Sequence, residues 1–291
     1  MNATAANARH GRAILARLRR DPRTLVAGGT LLALVVLVLI GPMLVAYAPY
    51  EQLDITNLVH VPPGAEHLLG TDAFSRDVLS RVLSGGRVSL AVALSAVFIE
   101  TVVGVAWGLA AGLAGGRTDA LMMRCVDAGM SVPRVLLLLA ILAAVPMVPV
   151  WALVVMLGVT GWFGIARLVR SEVRIIRGAD FVLAARSLGA SPLRLATRHV
   201  LPHVSGPVLV AATLAVGQVI VLEAGLSFLG IGVQPPQASW GNIIGDGWDV
   251  IASAPWVSLA PGFCLVLVVL AVSALGDGLR DALAPRQLPR T

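Results

Sequence analysis

From Thr24 to Tyr50 no residue carries a charge. About 20 mainly apolar residues in a helix cross the roughly 30 Å hydrocarbon layer of a bilayer, so a run this long commits the chain to lipid. Composition agrees: 57% of the 291 residues are apolar and 13% are charged, with a mean hydropathy of +0.85. A soluble domain has about 45–50% apolar and about 25% charged residues. Half that charge leaves too little polar surface to keep a body of this size in water. Arginines precede the run, and Ala46-Tyr47-Ala48 looks like a signal cleavage site. The apolar stretch of a signal is about 7–15 residues long, so the run reads as an uncleaved anchor over 25–47.

Five more spans are expected. The second covers 88–113, with Glu100 as its single charge, and the third starts near Leu121. Val135 to Ala166 is uncharged, too long for one helix, and divided by Pro146 and Pro149. Proline breaks helices, so the third span ends near Ala144 and the fourth starts near Val150. The fifth covers 204–226, and the sixth lies over 257–275. The fold class is therefore an all-α integral membrane protein of about six transmembrane helices, with both termini on one side.

Arginine chooses the side. The net charge is +6 and the chain has no lysine. Seventeen arginines lie in the segment Arg9–Arg23, at Arg117, within 167–198 and in the tail at Arg280, Arg286 and Arg290; only Arg76, Arg81 and Arg87 oppose them. Arginine-rich segments stay cytoplasmic, so both termini are expected there. These arginines flank apolar runs, which fits topology and not nucleic acid. Arg9–Arg23 also suits a surface helix on anionic lipid. Three regions follow: an Arg-rich N-terminus, first span and external loop (1–87), a core of five spans with a cytoplasmic loop at 168–203 (88–277), and a cytoplasmic tail (278–291).

In the external loop, Asp72–Arg87 mixes charges with Val78, Leu79, Val82 and Leu83. That spacing is expected of a short amphipathic helix lying on the surface. In the cytoplasmic loop, Asp180–Leu188 reads as a helix stopped by Gly189. Ser191-Pro192 then opens a second helix, with serine as cap and proline in the first turn. It carries Arg194 and Arg198 and is expected to stop at Leu201-Pro202. The small residues Ala184, Ala185, Gly189 and Ala190 let a partner surface approach closely.

Leu183-Ala184-Ala185-x-x-x-Gly189, followed after nine residues by His199-Val200-Leu201-Pro202, resembles the cytoplasmic EAA loop of ABC importer permeases. Leu183 stands where that motif has glutamate. His67–Arg81, Glu223–Gly230 and Gly276–Asp281 are similar to further signatures of the C-type permeases of dipeptide, oligopeptide and nickel importers, with Ala284 replacing a common tail aspartate. The resemblance covers about 20–286. It implies a type I ABC importer transmembrane fold in the cytoplasmic (inner) membrane, and a homologous second permease subunit completing the pathway. It also implies two ATPase domains or subunits and an extracytoplasmic substrate-binding protein. The ATPases would grip Ala184, Ala185, Gly189, Ala190, Ser191, Pro192, Leu201 and Pro202. Dipeptides or short peptides are the implied cargo, with nickel, another metal complex or oligopeptides as the alternative. ATP and Mg would sit in the partner ATPases. This chain has no G-x-x-x-x-G-K-[ST] phosphate loop, and it is expected to be no enzyme and to hold no cofactor or metal of its own.

Glu100 and Glu223 lie in or near spans, where a carboxylate costs about 2.5–3.5 kcal/mol on insertion scales. They are candidates for the pathway or for structural pairs. Gly104, Gly108 and Gly112 put small residues on one helical face and suit tight packing. Arg124 and Asp127, three apart, are expected to neutralise each other. His199 and His203 have a zinc-like spacing, but Pro202 intervenes and no further ligand is evident. Met122, Met123, Met130, Met147 and Met156 read as flexible packing, with a metal route as the rival, and Cys125 and Cys264 as small packing residues. A secondary transporter would show inverted repeats and midplane ion ligands. An intramembrane serine protease built on Ser227 would need a histidine base, and none lies in a later span.

Overall fold

The structure, a computed structural model, describes residues 17–19, 21–145 and 147–283. Pro146, Ala284, Arg286, Arg290 and most of the Arg9–Arg23 segment lie outside the described residues. Among the described residues there are helices and one isolated bridge, Thr71 to Asp77, but no strand.

Asp21 caps the first helix, α1 (Pro22–Leu44), accepting from the backbone N–H of Arg23 (3.2 Å) and Thr24 (3.1 Å). Pro42 sits inside α1. Proline has no N–H, so the carbonyl of Val38 loses its helical partner. Arg87 supplies one: its Nε donates to Val38 O at 2.9 Å, and its Nη2 donates to Leu39 O.

The second helix, α2 (Val78–Ala114), is capped by Asp77, which accepts from Ser80 N at 2.8 Å. Its 37 residues span about 55 Å, well beyond the hydrocarbon layer. The expected surface helix is therefore the outer part of this span and does not lie flat on the membrane. Val78, Val82 and Leu83 are buried there. So are Ser80 and Arg81, because each has a partner. Ser80 Oγ donates to Tyr47 O at 2.7 Å, and Arg81 Nη1 donates to Asp72.

Two spans are broken. Helices α3 (Gly116–Ser131) and α4 (Arg134–Ala143) meet at 73°. The break falls at Val132-Pro133, not only near residue 144 as expected, because Pro133 holds Val132 extended (φ −94°, ψ 125°). Helices α5 (Val150–Gly161) and α6 (Phe163–Ile176) meet at 40°. Residues 168–176, read as loop from their arginines, belong to α6. Its other face is buried through Ile165, Ala166, Val169 and Val173. The glycine stripe of α2 receives that face. A Cβ on Gly104 would stand 2.8 Å from Ile165 Cβ, on Gly108 2.7 Å from Val169 Cβ, and on Gly112 2.6 Å from Val173 Cγ1. The stripe packs within this subunit.

A short helix α7 (Asp180–Ser187) leads to α8 (Pro192–Phe228). The second loop helix does not stop at Leu201-Pro202. A π turn over Leu195–Val200, in which Leu201 N–H bonds to Ala196 O, carries the chain past the proline into the fifth span. Helix α9 (Trp240–Asp246), closed by a Ser239–Asn242 capping box, packs beside α10 (Pro255–Leu283). Four long helices and the two bent pairs make six spans when each pair is counted as one. Leu138, Leu142, Leu153, Leu157, Ile220 and Trp240 form the buried centre. Leu32, Phe98, Leu121 and Phe263 are all more than 60% exposed, the surface a lipid solvent tolerates.

Candidate functional site

The loop between α6 and α8 forms a helical hairpin. Leu188 ends α7, and Gly189 N–H bonds to Arg186 O (3.0 Å) while Ala190 N–H bonds to Ala185 O (3.1 Å). This pair of bonds is a Schellman closure, which requires a left-handed residue at the position of Gly189. Gly189 has φ +80°, and a Cβ there would meet nothing within 4 Å. Conformation, not space, therefore demands glycine. Ser191 caps the next helix through Arg194 N (3.4 Å), with Pro192 in its first turn.

Burial divides the hairpin into an anchored side and an exposed side. Val182, Leu195 and Val200 are buried. Leu183, Leu188 and Leu193 are 46%, 89% and 73% exposed. Of the residues expected at the coupling loop, Ala184, Gly189, Ser191, Pro192 and Pro202 are exposed, and Ala185, Ala190 and Leu201 are half-buried. The sequence reading missed these leucines, although their spacing around Gly189 was the available signal. Leu183, in the motif's glutamate position, presents an apolar contact. The ring of Phe181 stacks on His203 at 5.0 Å, and His203 Nδ1 lies 2.8 Å from His199 O. Among the described residues no group of three His, Cys, Asp or Glu is placed to hold a metal.

The two intramembrane carboxylates each have partners. Glu100 is 2% exposed and pairs with Arg134 Nη2. Arg134 also bonds Leu157 O, and its Nε donates to Thr160 Oγ1 at 3.2 Å. One pair thus ties α2 to the start of α4 and the end of α5, where both broken spans bend. Glu223 accepts from Ser227 Oγ at 2.7 Å, and Ser227 Oγ accepts from Val233 N at 2.9 Å, closing the turn after α8. Asp127 pairs with Arg167 and not with Arg124 as expected. The bend between α5 and α6 brings Arg167 to it. Arg170 holds Asp119 with two bonds of 2.9 and 2.7 Å.

On the opposite face, Asp72 accepts from Arg76 Nε at 2.7 Å and from Arg81. Asp246 of α9 meets Arg76 at 3.1 Å and Arg81 at 2.9 Å. His67 Nδ1 lies 2.9 Å from Asp77 Oδ2, and its ring packs on Tyr47. The signature stretch 67–81 is thus a folded cap on the ends of α2 and α9.

Six spans, two of them broken, and a hairpin anchored at one end of the bundle define a polytopic helical membrane protein. The model of the binding-protein-dependent transport system inner membrane component matches residues 104–288, and that of the N-terminal TM domain of oligopeptide transport permease C matches 11–63. The chain belongs to the family of binding-protein-dependent transport system inner membrane components, as a multi-pass inner membrane permease. It is 41% identical over 272 residues to the dipeptide transport system permease protein DppC of Bacillus subtilis (strain 168), covering 93% of this chain and 84% of that one. It is 35% identical over 260 residues to the oligopeptide transport system permease protein OppC of the same organism, covering 88% and 85%. Among solved structures, the inward-facing MetNI methionine ABC transporter matches with a TM-score of 0.56 at 20% identity, over 70% of this chain and 96% of that chain. That likeness establishes the type I ABC importer fold.

Proposed function

We propose that this chain forms half of the translocation pathway of an ATP-driven importer of dipeptides or short peptides. A homologous second permease completes the pathway, an extracytoplasmic binding protein delivers the cargo, and two ATPase domains grip the hairpin from the cytoplasm. ATP and Mg belong to those ATPases. The observation that carries this reading is the exposure of Leu183, Leu188 and Leu193 on either side of the Gly189 closure. Apolar side chains raised on a rigid turn mark a protein interface. Because α8 is continuous from Pro192 to Phe228, a push on the hairpin moves the fifth span directly. Relatives bearing peptide-permease names support the cargo.

The test is uptake of labelled dipeptide by proteoliposomes holding both permeases and the ATPases, supplied with binding protein. Leu188→Asp places a charge in the apolar contact and is expected to reduce ATP-driven uptake at least tenfold, with membrane insertion unchanged. Normal uptake by Leu188→Asp, or uptake without the ATPases, overturns the coupling assignment. Uptake of nickel or longer peptides in place of dipeptide reassigns the cargo.

A further inference from the structure

Arg134, Gln218 and Ser273 come from three different spans and line one cleft of about 650 Å³, with Val135, Leu214 and Val221 forming its apolar wall. Polar side chains at membrane depth face protein or a water-filled cavity and mark substrate paths. Arg134 is only partly used by the protein. Its Nη2 and Nε are bonded to Glu100, Leu157 and Thr160, while Nη1 has no partner among the described residues, and the side chain is 26% exposed. Neither the Gln218 amide nor the Ser273 hydroxyl bonds to another group among the described residues. A guanidinium N–H, an amide NH₂ and a hydroxyl together offer donors to a group that only accepts, which is the chemistry of a carboxylate.

We infer that this cleft is a transient subsite for the terminal carboxylate of a transported peptide, with Arg134 as its principal donor. The inference rests on the peptide-importer reading. Glu100 gives the site its weakness. An unopposed guanidinium in a low-dielectric span would hold a carboxylate strongly, and conduction requires a site weak enough to leave. Glu100, buried behind Arg134, neutralises part of that attraction while leaving Nη1 to the cargo.

The experiment compares uptake of a labelled dipeptide with that of its C-terminal amide, in the complete complex with its binding protein. The binding protein's own preference is common to all variants and cancels from the comparison. The double variant Glu100→Gln with Arg134→Gln removes both charges together and leaves no buried charge unpaired. Gln218→Glu leaves the ion pair intact and puts a like charge in the cleft. Each is expected to lower the acid-to-amide uptake ratio about tenfold from the wild-type value, the worth of one charge-assisted hydrogen bond. If the double variant does not assemble, Gln218→Glu decides alone. An unchanged ratio with normal uptake of both peptides overturns this inference only. Failure of the wild-type complex to take up either peptide overturns the dipeptide-cargo reading on which the inference rests.

Discussion

Asp72 shows how far a single residue reaches on the face opposite the hairpin. Its carboxylate accepts from Phe74 N (2.8 Å), Arg76 N (3.0 Å), Arg76 Nε (2.7 Å) and Arg81. Its side chain is 1% exposed and that of Arg81 4%. Removing one partner of a buried pair leaves the other charge uncompensated, at a cost of about 3–5 kcal/mol. Asp72→Asn is therefore expected to lower the thermal midpoint of the detergent-solubilised protein sharply, whereas a substitution at exposed Glu66 is neutral. Fluorescence-detected size exclusion after heating checks both. The sequence displayed Asp72 and Arg81 as alternating charges, which read as a wet surface helix. Their burial depends on Asp246, which lies far along the chain, and no local pattern reports such a partner. The Arg134 partnership with Glu100 was hidden in the same way, although Glu100 stood out as the single charge of its span.

Helix ends were more legible than helix lengths. Gly189 and Ser191-Pro192 sit where capping chemistry put them, because a cap is a local hydrogen-bond problem. Lengths failed where a partner overrode the local signal. Helix α6 looked polar until the glycine stripe of α2 covered its apolar face, and α8 passed Pro202 through a π turn. Proline inside α1 offers a direct test of such compensation. Arg87 takes the carbonyl that Pro42 leaves unbonded, and a hydrogen bond from a charged group contributes about 1.5–3 kcal/mol. Arg87→Met should destabilise the solubilised protein by that order. Adding Pro42→Ala restores an N–H for Val38 O and should recover much of the loss. Independent, additive effects in this double-mutant cycle would show that the arginine does not act through that carbonyl.

At the scale of the molecule, the structure sharpens the charge asymmetry read from the sequence. Arg76 and Arg81 are matched by Asp72 and Asp246, and Arg87 is occupied by α1 carbonyls. The three arginines at the Asp72 end are thus held by the fold. On the hairpin face Arg174, Arg186, Arg194 and Arg198 are exposed and form no ion pair among the described residues. The arginine count, 17 against 3, therefore predicts the hairpin in the cytoplasm and the Asp72 cap outside. Cysteine labelling tests this once exposed Cys125 and half-buried Cys264 are replaced by serine. Leu68 and Leu188 are 65% and 89% exposed and lie at opposite ends of the bundle. In right-side-out vesicles a membrane-impermeant maleimide is expected to modify Leu68→Cys and spare Leu188→Cys, and in inverted vesicles the pattern should reverse. Modification of Leu188→Cys from outside would turn the hairpin away from any cytoplasmic ATPase, and the coupling role of Ala184 to Pro202 would fall with it.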